Sequence, residues 1–198
     1  MNSNPVCKEI RFVMLLSLVC AILLGITRMA IGNKSELALD TVEAVYDILG
    51  KDKTNGYKKF NEEFVQLVRG KNKLWQSREN DGLFICESSG YGMWGPIVAV
   101  FALDTDKQEI IGLRITEQNE TAGLGSEIAE EEFTSQFNFM SYSNGIEMTK
   151  SKTKSNQFDA VTGATTSSKA VERLLKKAYV IFEIAEKNMQ KSKMNKQS

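Results

Sequence analysis

Apolar and polar residues are spread unevenly along this chain of 198 residues. From Phe12 to Ile26 the sequence is apolar except for Ser17 and Gly25, with Arg11 before the run and Arg28 just after it. That length is short for a membrane span unless the two arginines reach outward to the interfaces. The expected element is a single uncleaved transmembrane anchor within residues 1–34. A secretory signal is the rival, but no good small-residue cleavage site follows, and Leu18-Val19 lacks the small residue expected before a lipidated Cys20. Beyond the anchor the period changes. Leu39, Val42, Val45, Tyr46 and Leu49 predict a helix over Ser35–Leu49 that Gly50 stops, a turn spans Lys51–Gly56, and Phe60–Val68 reads as a second short helix. Residues 35–82 are therefore expected to form a helical lead-in.

From residue 83 the period becomes that of strands. Leu83–Glu87 reads as one, and the continuous apolar run Ile97–Leu103 suits a central strand. After a turn at Asp104–Lys107, Ile111, Leu113 and Ile115 alternate with Gly112, Arg114 and Thr116, so the two segments predict a hairpin. Val171, Leu174, Leu175, Ala178, Ile181, Phe182 and Ala185 then mark the strongest amphipathic helix, expected to open at Ser167 or Ser168 where a hydroxyl can cap it. The lysine-rich stretch 187–198 reads as a disordered polar tail. The fold class is α+β: an N-terminal transmembrane helix, then one domain over 83–186 with a mainly antiparallel sheet flanked by helices.

Composition narrows the function. Lys+Arg and Asp+Glu both total 25, and no aromatic-basic signature is present, so nucleic acid is not an expected partner. The absence of histidine removes the commonest metal ligand and the Ser–His and Cys–His nucleophile pairs. Cys7, Cys20 and Cys86 cannot assemble an iron–sulfur quartet, and Cys86 reads as a buried, inert thiol. Neither a metal site nor a catalytic side chain is expected.

The candidate chemistry lies in Asp159-Ala-Val-Thr162-Gly163-Ala164-Thr165-Thr166-Ser167-Ser168, a hydroxyl-rich turn directly before the amphipathic helix. The first N–H groups of a helix have no partner within it, and they sit at the positive end of its dipole. They favour an anion there, and Gly163 lets the backbone come close to it. A phosphate fits that need, although a plain capped loop would use the same residues. A phosphate-handling enzyme is disfavoured, because no P-loop lysine spacing accompanies the turn. A flat aromatic group carried on such a phosphate needs apolar walls and close backbone donors. Trp94 and Leu124 offer the first, Gly123 and Gly125 the second, and Glu120 and Thr121 are polar candidates for positioning or tuning it. The predicted hairpin brings both loops to one end of the sheet.

Asp159, Thr162, Gly163, Ala164 and Thr165 resemble the flavinylation signature of the FMN-binding domain family. Glu117-Gln-Asn-Glu120-Thr121-Ala122-Gly123-Leu124-Gly125 is similar to its Glu-Thr-Pro-Gly-Leu-Gly element, with Ala122 in place of the usual proline. Gly90-Tyr-Gly-Met-Trp94-Gly-Pro-Ile97 resembles the glycine-rich segment before the family's central strand. The resemblance implies FMN joined through its phosphate to Thr165 by a separate flavin transferase using FAD, with Thr166, Ser167 and Ser168 as weaker rival acceptors. It also implies a redox subunit of a membrane-bound, ion-translocating electron transport complex, partnered by other membrane subunits. Its amino terminus would lie on the cytoplasmic side of the cell membrane and its domain on the extracytoplasmic face. Two branches of the family are similar, one belonging to the Rnf ferredoxin:NAD oxidoreductase and the other to the sodium-translocating NADH:quinone reductase, and the motifs favour the first. A stand-alone flavinylated carrier and a cofactor-free anchored scaffold stay open as alternatives.

Overall fold

The computed structural model describes residues 5–30 and 38–197, and the chain divides after Glu36 into two units. The first is helix α1 (Pro5–Ala30), whose window Glu9–Ile26 has a mean hydropathy of 2.3 and no buried residue. Its 26 residues give a length of roughly 39 Å at 1.5 Å per residue, against roughly 30 Å for the hydrocarbon core of a bilayer. The helix extends past the apolar run at both ends and is long and apolar enough to cross a membrane.

In the second unit, α2 (Leu39–Ile48) and α3 (Gly56–Glu63) precede β1 (Phe64–Val68), β2 (Lys73–Ser77), β3 (Leu83–Tyr91), β4 (Pro96–Asp104) and β5 (Glu109–Glu117). With β6 (Met140–Ser141) these form an antiparallel sheet of 6 strands in the order β1-β2-β3-β4-β5-β6. A short helix, α4 (Glu131–Thr134), and a parallel pair, β7 (Glu147–Thr149) with β8 (Gln157–Asp159), lead to the long helix α5 (Thr165–Gln197).

Both faces of the sheet are covered, which is why residues 97–103 are apolar without alternation. Ile97, Ala99, Phe101 and Leu103 share a core with Val171, Leu174, Leu175 and Phe182 of α5, whereas Val100 and Ala102 point to the other side, to Val42, Val45 and Tyr46 of α2 and Phe60 of α3. At about 1.5–3 kcal/mol for each large side chain taken out of water, these two layers supply most of the drive to fold. Cys86 lies in the α5-side core, fully buried, and burial pushes its thiol well above the usual range. That agrees with an inert residue.

Several elements depart from the pattern predicted. Residues 64–68 are a strand, not the end of a helix, and together with β2 they extend the sheet into the stretch expected to be a helical lead-in. Phe60 and Phe64 stack at 4.7 Å between ring centroids, so the apolar spacing that suggested one helix instead packs the end of α3 onto the start of β1. In β5 a register shift between Ala102 and Leu103 of the partner strand sets Ile110 and Leu113 on the α5 side and moves Ile111 to the α2 side, so Ile111 does not share a face with Leu113. Helix α5 also runs to Gln197, across the stretch read as a disordered tail, where its lysine, glutamine and methionine residues are good helix formers. Helix α2 starts at Leu39. Ser35–Leu37 of the helix predicted from Ser35 lie outside the described residues.

One polar cluster crosses the α2 layer. The Lys73 ammonium lies 2.8 Å from Glu87 Oε1, their side chains being 12% and 8% exposed, and the buried Thr41 hydroxyl donates to Glu87 Oε2 at 2.7 Å. Removing one partner of such a pair strands the other charge, whereas replacing both restores an apolar fit. Glu87→Leu is therefore expected to cost about 3 kcal/mol in urea unfolding, and adding Lys73→Met to recover part of that loss, the buried Thr41 hydroxyl still lacking the acceptor it has in Glu87. Equal stability of the single and double variants would show that the ammonium escapes to water.

Candidate functional site

Strand β8 ends at Asp159, whose backbone is gripped by one side chain. Its N–H donates to Gln136 Oε1 at 2.7 Å, and Gln136 Nε2 donates back to its carbonyl at 3.3 Å. The chain then turns, with Ala164 N–H bonded to Val161 O at 3.0 Å and Gly163 at φ +80°, a left-handed conformation that glycine adopts without strain. Helix α5 opens at Thr165, earlier than the expected Ser167 or Ser168. The reason is Ser168. Its hydroxyl accepts from Val161 N–H and donates to Ala164 O, both at 3.0 Å, so it staples the turn from inside the first helical turn instead of capping from outside.

The hydroxyls of the turn therefore divide. Thr162, Thr165 and Thr166 are exposed, whereas Ser167 and Ser168 are buried and engaged, which removes both serines as acceptors for a large group. The first backbone bond of the helix runs from Ser168 N–H to Ala164 O at 3.0 Å, leaving the N–H groups of Thr165, Thr166 and Ser167 without a partner inside the helix. Asp159 keeps one buried carboxylate oxygen, Oδ1, with no hydrogen-bond partner.

A second loop follows β5. Thr121 is exposed, and its carbonyl accepts from Leu124 N–H at 3.2 Å and Ser126 N–H at 3.1 Å, folding Ala122 and Gly123 (φ +71°) outward. Leu124 stands 47% exposed and lies against the turn: a Cβ on Gly163 would fall 3.2 Å from its Cδ2. Gly125 is buried where no larger residue fits, since a Cβ there would lie 2.7 Å from Glu120 Cβ and 2.8 Å from Ser167 Oγ. The third loop is the β3–β4 turn, closed by Gly92 N–H to Gly95 O at 2.8 Å, which holds Trp94 67% exposed at its tip. Pairing of Val98 with Glu117 sets this turn and the loop after β5 at the same end of the sheet, as the hairpin implied.

Glu120 joins all three. It is only 9% exposed. Oε1 accepts from Met93 N–H at 2.9 Å and Trp94 N–H at 3.1 Å, and Oε2 accepts from the Ser167 hydroxyl. Burial pushes its pKa up, but the Ser167 hydroxyl and the N–H groups of Trp94, Met93 and Gly95 outweigh that and hold the carboxyl below its usual value. The sequence suggested Glu120 as a polar candidate for positioning or tuning a ring, and within the protein its oxygens accept from Met93, Trp94 and Ser167. The staple at Ser168 and the clamp at Gln136 were not foreseen. Only the first had a local cue, a serine four residues after Ala164.

These residues suit a phosphate-bearing aromatic cofactor. Free N–H groups and an exposed hydroxyl meet at the helix terminus, a glycine exposes the backbone beside them, and the exposed Leu124 side chain stands over that glycine, with the turn bearing the exposed Trp94 held to the same helix end through Glu120. Among the described residues, no group of three or more Asp, Glu or Cys side chains could hold a metal ion.

Residues 92–180 match the family described as FMN-binding domain. Among curated relatives, the subunit designated G of the proton-translocating ferredoxin:NAD(+) oxidoreductase complex of Clostridium ljungdahlii is 33% identical over 129 residues, 63% of this chain and 64% of the relative. The subunit designated C of the Na(+)-translocating NADH-quinone reductase of Haemophilus ducreyi is 32% identical over 94 residues, 44% of this chain and 37% of the relative. The chain thus spans less than two thirds of the length of either. The crystal structure of the corresponding quinone reductase subunit from Parabacteroides distasonis shares the fold, with a TM-score of 0.54 at 21% identity, over 70% of this chain and 86% of that one.

Because the folded carboxyl of Glu120 titrates below its unfolded value, the ionised form favours the fold. Its contribution is present at neutral pH and is lost as pH falls through the folded pKa. Glu120→Gln is therefore expected to lower urea stability by about 1–2 kcal/mol at pH 7, with the gap from wild type closing as the pH is taken below the carboxylate range. An equal gap at both ends would show that the ionised form makes no special contribution.

Proposed function

We propose that this chain, whose residues 92–180 match the FMN-binding domain family, carries FMN as a phosphodiester on Thr165 and serves as an electron-transfer subunit of a membrane-bound, ion-translocating oxidoreductase complex. The observation that carries this reading is the convergence at the start of α5: an exposed Thr165 hydroxyl, unpartnered N–H groups, the open Gly163, and Leu124 standing against it. Attachment by a separate flavin transferase forms a bond from Thr165 Oγ to the FMN phosphorus and breaks the pyrophosphate bond of FAD. AMP leaves, and the hydroxyl proton passes to a base.

Thr165, Thr166 and Ser167 would present backbone N–H groups to the phosphate. Asp159, Thr162, Gly163 and Ala164 shape the turn that offers the hydroxyl. Trp94 and Leu124 would flank the ring, with Gly123 and Gly125 allowing close backbone approach and Thr121 an exposed polar neighbour. Bound there, FMN supplies one- and two-electron redox chemistry. The protein's part is to hold it in a fixed place between electron partners and to prevent its loss where free FMN is scarce.

The longer match to the ferredoxin:NAD(+) oxidoreductase relative favours a complex of that type over a quinone reductase, and other membrane subunits would be the electron partners. Helix α1 would act as a single-pass anchor, with the amino terminus inside and the domain on the extracytoplasmic face of the cell membrane.

Co-expression with a flavin transferase, followed by peptide mass spectrometry, is expected to show FMN minus water on the peptide containing Thr165, and no adduct in Thr165→Val. Wild-type protein without flavin after maturation in its own host would end this reading, while an adduct on Thr166 would move the site by one residue. Trp94→Ala is expected to keep the link and change flavin fluorescence. An unaltered spectrum would take Trp94 out of the ring site.

A further inference from the structure

The side chain of Trp94 is 67% exposed, so packing does little to hold it. What holds its position is the backbone of the turn. Within that turn the only bond is Gly92 N–H to Gly95 O, which leaves the N–H groups of Met93 and Trp94 pointing outward as donors, and both end on Glu120 Oε1. The other oxygen, Oε2, is taken by Ser167, in the first turn of the helix that begins with Thr165. An ionised carboxylate accepts several hydrogen bonds and donates none, so it can collect N–H and O–H groups from separate segments at once. The chain also gives way around it. Gly92 and Gly125 both lie where a side chain would run into Glu120.

We propose that Glu120 is a positioning residue that locks the Met93–Trp94 turn to the first turn of α5 and thereby fixes Trp94 relative to Thr165. This inference rests on the reading that Thr165 carries FMN only for its consequence, a fixed orientation of the flavin. The lock itself exists without the cofactor.

The test uses the full-length chain with Trp75→Phe, which leaves Trp94 as the sole tryptophan, and compares wild-type Glu120 with Glu120→Ala, Glu120→Gln and Ser167→Ala. In unmodified protein, time-resolved anisotropy is expected to show at least a twofold larger amplitude of fast Trp94 motion in Glu120→Ala and a smaller rise in Ser167→Ala. Glu120→Gln keeps an acceptor oxygen for the two N–H groups and an amide that can donate to Ser167, so its anisotropy should match wild type. In matured protein, the flavin on Thr165 should show greater fast motion and a shifted midpoint potential in Glu120→Ala. Trp94 anisotropy and flavin potential unchanged in Glu120→Ala would overturn the proposal. Should that variant fail to fold, Ser167→Ala decides, and unaltered Trp94 motion there overturns it equally. Absence of flavin from wild type would sink the function proposed above, yet leave the tryptophan measurement to judge the lock.

Discussion

The apolar stripe of α5, formed by Val171, Leu174, Leu175, Ala178 and Phe182, leaves water by lying across the sheet on Phe84, Cys86, Ile97, Ala99 and Phe101. That single packing arrangement dictates the position of the helix start. Gly90 has no side chain where Leu174 presses in, since a Cβ there would come 2.8 Å from Leu174 Cδ2, and Arg173 and Lys177 donate to the carbonyls of Tyr91 and Ser89. The helix is thereby registered against the end of β3. Its opening turn must then emerge beside the β3–β4 turn and the loop after β5. Three segments far apart in sequence meet because one amphipathic helix has only one sheet face on which to lie.

Much of this was legible in the chain. The β4–β5 hairpin followed from an apolar run, a polar turn and a second apolar segment, and the placing of the Trp94 turn and the loop after β5 at one end of the sheet followed from the hairpin. Local pattern failed where pairing between strands decided the outcome. Phe60, Phe64, Leu67 and Val68 have helical spacing, but Phe64 to Val68 finds hydrogen-bond partners in Leu74–Ser77, and the ladder overrides the period. Ile111 looked like a neighbour of Leu113, and a bulge set it on the opposite face.

The site shows the same division. Exposure of Thr165 follows from its place at the open end of the helix, which the hydroxyl-rich turn announced, although the helix begins earlier than a serine cap suggested. The arrangement of Ser168, Gln136 and Glu120 was not legible, because each acts on a backbone group that only the folded turn brings near. Gln136 reaches Asp159 across 23 residues of sequence and Glu120 reaches Ser167 across 47. A polar side chain in a loop says little about what it will bond, and these residues hold the loops themselves.

The electrostatics of the helix terminus bear on why a tethered cofactor suits it. The partial positive charge there is worth roughly 0.3–1 kcal/mol to an anion near the surface. The Glu120 carboxylate already lies beside that terminus, where it accepts from the Ser167 hydroxyl in the first turn. A free phosphate monoester would bring about two further negative charges at neutral pH, and repulsion from the buried carboxylate would work against holding it. A phosphodiester brings only one. On the proposed reading, the covalent bond to Thr165 therefore does two things: it removes the entropy cost of keeping a small molecule in place, and it halves the charge that a terminus already occupied by Glu120 has to accommodate.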